Sequence, residues 1–314
     1  MPPPIVIETE TIAPAPRAWL AEQVELLDRP YMERDALLAD LPSASGLLVR
    51  TYTAVDEELL DHAPMLRVIA RAGVGLDNID LDACEARGVA VVHTPGANTQ
   101  SVVEFVAWAL IKNTRQIHTL AGDYTPDRWH PIRQSASAEQ SVVSQTLGII
   151  GFGRIGTRVG ALGAALGMRI LYCDLLDLPE HKAAGAERVT MDELVRTSDA
   201  ITVHADGRAS NRHLIDRRVF AGMKPGVLFI NTARGFLVDP DAALHFAATN
   251  PDARLVLDVH DPEPAHCPEL LALPNTTLTP HIASGTSQAK EGMSWVVRDL
   301  VRVLNGECAE HRVV

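Results

Sequence analysis

Apolar residues along this 314-residue chain fall into short runs separated by amphipathic stretches. The runs Ile5–Ile7, Gly46–Val49, Arg67–Ala70 and Val89–Val92 read as buried strands. The stretches around Trp19–Leu27, Glu57–Asp61 and Leu81–Arg87 read as helices between them. A strand apolar on both faces suits a parallel sheet covered by helices, so the alternation predicts an α/β architecture. A longer helix is expected from Thr99 to about Ala121, with Asn98 or Thr99 as its cap and Gly122 as its stop. From Asp123 to Ser144 the periodicity lapses, and Pro126 and Pro131 among small polar residues predict a loop.

A second alternating series follows, with strands at Leu147–Gly151, Arg169–Cys173, Ala200–Val203, Val227–Asn231, Arg254–Val259 and Thr276–Thr279, and a last helix at Thr286–Leu304. The chain is longer than one hydrophobic core usually holds, and it carries no short repeat. Two doubly wound parallel-sheet domains are the expected arrangement. The helix after Asn98 and the start of the last helix would carry the chain between them.

The first chemical signal is LGIIGFGRIG, residues 147–156, which places Gly151, Gly153 and Gly156 as G-x-G-x-x-G. The motif follows an apolar strand and opens a predicted helix at Arg154–Leu166. A tight turn, a close backbone approach and a helix N-terminus together suit a pyrophosphate. The next strand ends at Asp174, 18 residues after Gly156. A carboxylate there is placed to bind ribose hydroxyls and to repel a 2′-phosphate, and Leu175 and Leu176 add no cation. The pattern therefore predicts NAD as cofactor. A surface carboxylate at a strand end is the plainer alternative for Asp174.

Three later segments end predicted parallel strands, at the sheet edge where ligands bind. NTARGFLVD carries Arg234, LDVHDPEP carries Asp258 and Glu263, and TPHIAS carries His281. Reducing a 2-keto acid requires a cation on the carboxylate and keto oxygen, and an acid that protonates that oxygen. Arg234 suits the first task and His281 the second, with Glu263 orienting the imidazole. Taken singly, each is as readily a surface charge or a loop residue.

With these motifs in order, the chain resembles the D-isomer-specific 2-hydroxyacid dehydrogenase family from about Gly46 to Gly306. ARAGVGLDNID (70–80) and TPGANTQSVVEF (94–105) are similar to its substrate-domain and hinge segments. The resemblance implies a Rossmann-type NAD-binding domain (99–284) inserted into a flavodoxin-like substrate-binding domain (1–98 plus 285–314), and a homodimer. It implies Arg234, Glu263 and His281 as catalytic residues. It implies a cofactor site of Gly151, Gly153, Arg154, Ile155, Gly156, Asp174, His204, Thr232, Ala233 and Asp258. The backbone N–H groups of Val74 and Gly75, with Asn98, are expected to meet the substrate.

Within the family the matching segments look most like phosphoglycerate dehydrogenases, which implies 3-phosphoglycerate and phosphohydroxypyruvate in serine biosynthesis, with Arg50 and Arg71 facing the phosphate and Arg133 as a candidate third charge. Those arginines would otherwise pair with local carboxylates such as Asp77 or Asp80. A glyoxylate/hydroxypyruvate reductase is the alternative, and an NAD-responsive corepressor-like binding protein a further one. Some residues depart from the family. VHADGRASNRHLI (203–215) keeps His204 but has Asp206, Gly207 and Arg208 where a proline-containing segment is usual. His260 replaces an aromatic residue, His93 an asparagine, and SAEQSVVSQ (137–145) lacks a Gly-Lys pair.

Composition narrows the field further. A net charge of −12 argues against a nucleic acid or an anionic membrane as partner, while a local basic pocket is still compatible with the small-molecule 2-hydroxy or 2-keto acid that the resemblance implies. Cys84, Cys173, Cys267 and Cys308 lack metal spacing and read as free thiols. His118, His130 and His266 show no ligand pattern, so no metal is expected. The N-terminus has no leader-like pattern and no stretch is long enough to span a bilayer, which predicts a cytoplasmic protein. With the sequence ending at Val314, feedback through the regulatory domain of longer phosphoglycerate dehydrogenases is not expected.

Overall fold

Main-chain hydrogen bonding sorts the strands into two separate parallel sheets. The computed structural model describes all residues except 1, 116, 118, 120–121, 123–124, 136–140, 177–184 and 266. It divides into two compact units, Met1–Gln100 with Ser284–Val314, and Ser101–Ala283.

The first unit holds β1 (Ile5–Glu8), β2 (Glu25–Asp28), β3 (Gly46–Val49), β4 (Val68–Arg71) and β5 (Ala90–Val92). Their order is β2-β1-β3-β4-β5, all parallel, which is the flavodoxin-like order. Side chains alternate between two cores. Ile7, Leu47, Ile69 and Val91 pack on one face. Val6, Leu48, Val68 and Val92 pack on the other with Val297 and Leu300. This two-sided burial is why these strands are apolar throughout.

The second unit holds β6 (Thr146–Ile150), β7 (Arg169–Cys173), β8 (Glu187–Arg188), β9 (Ala200–Val203), β10 (Leu228–Asn231), β11 (Arg254–Leu257) and β12 (Thr276–Leu278). The order β12-β11-β10-β9-β6-β7-β8 reverses direction at β6. That is the Rossmann arrangement with one further strand, and the reversal point is where such sheets bind ligands. Ile149, Tyr172, Ile230 and Val256 pack on one face, and Ile201, Val203, Phe229 and Leu255 on the other.

Four expectations change. The stretch Trp19–Leu27 is a helix only over Pro14–Ala21, after which β2 forms. Glu25-Leu26-Leu27-Asp28 has no strand-like pattern of its own and becomes a strand by pairing with β1, Ile5 opposite Glu25. The long helix spans Thr99–Thr114 and stops short of the expected end; Ala121 lies outside the described residues. The expected loop contains a helix at Pro126–Ser135. Nearly all of its described residues are exposed, so it has no buried stripe to give a periodic signal. The last helix is two, Ser287–Ser294 and Val297–Leu304. The Ser294 hydroxyl donates to Lys290 O at 2.6 Å and accepts from Ala13 N at 2.9 Å, a back-bonding pattern that bends helices.

Candidate active site

The turn after β6 is built by its glycines. Gly151 has φ +88°, and a side chain there would meet the backbone nitrogen of Ala205 at 2.6 Å. A Cβ on Gly156 would lie 2.2 Å from Gly151 O, so the helix Arg154–Ala165 packs directly on the turn. At Gly153 the space is open, with nothing within 4 Å of a notional Cβ. Arg154 and Ile155 follow in the first helical turn, whose N–H groups have no carbonyl within the helix to bond.

Asp174 closes one side of the turn. Its carboxylate accepts from Phe152 N at 2.6 Å and Leu176 N at 2.9 Å. His204 closes the other side, just past β9. Its Nε2 pairs with Thr202 Oγ1 at 3.0 Å, while its Nδ1 is buried without a hydrogen-bond partner among the described residues. Burial pushes the His204 imidazole down to about 3, so it is neutral at pH 7. Thr232 Oγ1, past β10, is likewise buried and unpaired. Orphaned polar atoms are costly. One beside the open glycine turn and its fixed carboxylate, and one past the next strand but one from β6, fit a dinucleotide.

The end of β10 is shaped by Asn231. Its side chain accepts from Ala233 N at 3.1 Å and donates to Arg234 O at 2.9 Å, an Asx turn that sets the backbone of Arg234. The Arg234 guanidinium donates to Ala233 O at 2.7 Å. Next to it, a Cβ on Gly235 would lie 2.0 Å from His260 C and O. The arginine segment and the acidic segment therefore touch along the backbone.

His281 Nδ1 lies 2.9 Å from Glu263 Oε2, and Glu263 Oε1 accepts from His260 N at 3.1 Å. The glutamate is thus held at one oxygen and holds the imidazole with the other. His281 Nε2 has no hydrogen-bond partner among the described residues. Asp258, fully buried, does not point to open space. Its carboxylate accepts from Thr279 Oγ1 at 2.5 Å and from Ile282 N and Ala283 N at 2.8 Å each. It supports the His281 loop, a task that its strand-end position alone did not reveal.

In the first unit, Arg50 and Arg71 end adjacent strands, Val49 being the register partner of Arg71. Arg50 Nη1 donates to Thr11 O at 3.2 Å. Arg71 folds back over its own loop: a Cβ on Gly73 would lie 1.5 Å from Arg71 Nη1. Among the described residues the N–H groups of Val74 and Gly75 have no partner, while Val74 O accepts from His93 Nδ1 at 3.0 Å. Asn98 Oδ1 is buried and unpaired. Asp80 caps the helix Leu81–Ala86, accepting from Ala83 N at 2.9 Å. Arg133 is exposed on the helix Pro126–Ser135 of the second unit.

Sequence reasoning missed one cation beside Asp174 and singled out another, Arg208, only as a departure from the family pattern. Arg188, on β8, donates to Asp174 O at 2.8 Å, and Arg208 lies within electrostatic reach of Asp174. Both are distant in sequence, and only the strand order brings them there.

A family model described as D-isomer specific 2-hydroxyacid dehydrogenase, NAD binding domain, matches residues 107–283. The chain is 38% identical over 309 residues to D-3-phosphoglycerate dehydrogenase of Mycobacterium tuberculosis, covering 97% of this chain and 57% of that protein. It is 34% identical over 276 residues to hydroxypyruvate reductase of Thermotoga maritima, covering 86% and 87%. A crystal structure of a glyoxylate reductase from Paecilomyes thermophila superimposes with a TM-score of 0.84 at 29% identity, covering 100% of this chain and 99% of that one. The chain belongs to the D-isomer specific 2-hydroxyacid dehydrogenase family and carries that family's NAD-binding domain. It spans little more than half the length of the mycobacterial relatives.

Proposed function

We propose that the protein is an NAD-dependent oxidoreductase that interconverts a D-2-hydroxy acid and its 2-keto acid. The observation that carries this reading is the Glu263–His281 pair at 2.9 Å with Nε2 left open, in the same unit as the glycine turn. When bound there, NAD would supply the hydride chemistry at C2 of the substrate. Arg234 binds the substrate carboxylate and polarises the keto oxygen. His281 holds the proton at Nε2 and delivers it to O2 as the hydride reaches C2; in the reverse direction it starts neutral and takes that proton back. Glu263 keeps the imidazole in the tautomer and orientation that this requires. Gly151, Gly153, Arg154, Ile155, Gly156, Asp174, His204, Thr232 and Ala233 form the cofactor site, and Asp258 acts there indirectly, by fixing the His281 loop. Residues 99–284 serve as the cofactor domain, and 1–98 with 285–314 as the substrate domain. The working form is a cytoplasmic homodimer. No helix among the described residues is long and apolar enough to cross a membrane.

For the substrate, Val74 and Gly75 offer N–H groups to the carboxylate, and Asn98, whose Oδ1 has no partner among the described residues, is a further contact. Arg50 and Arg71, on adjacent strand ends, favour a second anion, and so phosphohydroxypyruvate and 3-phosphoglycerate. One observation favours the unphosphorylated alternative, hydroxypyruvate or glyoxylate: Arg50 already donates to Thr11 O. NADH oxidation with pyruvate, glyoxylate, hydroxypyruvate and phosphohydroxypyruvate tests both readings. Phosphohydroxypyruvate is expected to give the highest kcat/KM, with an advantage that shrinks at high salt and in Arg50→Ala or Arg71→Ala. A better rate with hydroxypyruvate or glyoxylate selects the alternative. Absence of hydride transfer with every acid, despite NADH binding, would select a nucleotide-responsive binding protein.

A further inference from the structure

The rim of the glycine turn beside Asp174 holds four charged groups, where a single carboxylate was expected. β9 and β7 flank β6, so the loop leaving β9 and the end of β7 stand on either side of the turn. The β9 loop is seated against the turn itself, since Gly151 has room for no side chain next to the His204–Ala205 peptide. Four residues after His204 comes Arg208. It is latched in place: Arg208 Nε and Nη2 donate to the Asp206 carboxylate at 2.7 and 2.5 Å. Asn211 Nδ2 donates to Asp206 O at 3.0 Å and to its carboxylate at 3.1 Å. Asp206 raises the pKa of this guanidinium, chiefly through those hydrogen bonds, and Asp174 acts in the same direction from across the turn. Arg188 approaches Asp174 from the β8 side.

We propose that Arg208 is a cofactor-discriminating residue, which lends positive charge to the ribose 2′ position beside Asp174 and makes the site more tolerant of a 2′-phosphate than Asp174 alone allows. This rests on the assignment of the glycine turn and Asp174 to the dinucleotide. Asp174 alone presents one negative charge to the 2′ position, and the Asp206–Arg208 pair, neutral as a whole, adds a guanidinium on the same rim. A phosphate there meets a guanidinium with planar donors suited to it. Asp206 sets how much of that charge is felt, because it shares the same guanidinium.

The test is equilibrium binding, read from nucleotide fluorescence, of NADH and of NADPH in competition with NADH. It uses the wild-type protein, Arg208→Ala and Asp206→Ala, at low and at physiological ionic strength. Both side chains are exposed, and melting temperatures confirm that the variants are folded. Arg208→Ala is expected to weaken NADPH about tenfold while changing NADH by less than about threefold. Asp206→Ala is expected to tighten NADPH several-fold, and raised salt to shrink both effects. The inference is overturned if Arg208→Ala shifts the two nucleotides equally or shifts neither, or if Asp206→Ala weakens NADPH. A wild-type protein that fails to bind NADH would instead overturn the dinucleotide assignment, and is distinguished because the failure precedes any substitution.

Discussion

Asp258 and His281 are joined both directly and through the neighbours of His281. His281 N donates to Asp258 O at 2.8 Å, and the Asp258 carboxylate receives Thr279 Oγ1, Ile282 N and Ala283 N. The histidine is thereby held with φ +54°, a left-handed backbone that a non-glycine residue adopts only under such constraint. Asp258→Asn replaces an all-acceptor group with one that turns N–H donors toward N–H donors. We expect kcat to fall by about two orders of magnitude through misplacement of the imidazole. NADH affinity should change little. Steady-state kinetics alongside a direct binding titration check this, and a loss of NADH affinity with unchanged kcat would refute it.

The proposed cofactor site assigns the choice of nucleotide to Asp174, whose carboxylate is fixed by Phe152 N and Leu176 N. NADH should be preferred over NADPH by about one order of magnitude or more, and Asp174→Ala should narrow the gap chiefly by weakening NADH. Ratios of kcat/KM for the two cofactors measure it. Equal ratios in the wild-type protein would remove the role given to Asp174.

Much of this arrangement was readable before any coordinates. Buried parallel strands have to be apolar throughout, so β3, β4, β6, β9 and β10 announced themselves, and the glycine turn did so through its spacing from Asp174. Features that depend on partners were not readable. β2 is a strand because β1 lies beside it, and the helix Pro126–Ser135 lacks a buried stripe. Ser294 divides the last helix through a bond to Ala13, distant in sequence. At the site, residue type suggested Arg234, Glu263 and His281, and the structure brings all three into one unit with Glu263 against His281. The supporting task of Asp258 and the cations beside Asp174 depend on sheet order, which local pattern does not encode. An Asx turn at Asn231 was within reach of a closer reading, since asparagine two residues before Ala233 is a turn signal.

Acid sensitivity should reside partly in Asp299. Burial alone would push its carboxyl up. Hydrogen bonds from Glu310 N, Arg302 and His311 N outweigh burial, and the net shift is downward. A group depressed on folding stabilises the folded state above its unfolded pKa and loses that contribution as pH falls through the folded value. Asp299→Asn should therefore lower the melting temperature at pH 7, and the gap from wild type should close as pH drops below about 4. Melting curves across that range test it; a gap independent of pH would mean that the charge of Asp299 is not what secures the C-terminal segment, which bridges to β5 at Val92 and Arg312.

The central claim is that His281, set by Glu263, moves the substrate proton. The most direct measurement is single-turnover reduction of the preferred 2-keto acid by bound NADH in wild type and His281→Ala, with NADH binding measured in parallel. The account predicts unchanged NADH binding and a rate lowered by about two to four orders of magnitude. Near-normal hydride transfer in His281→Ala would contradict it.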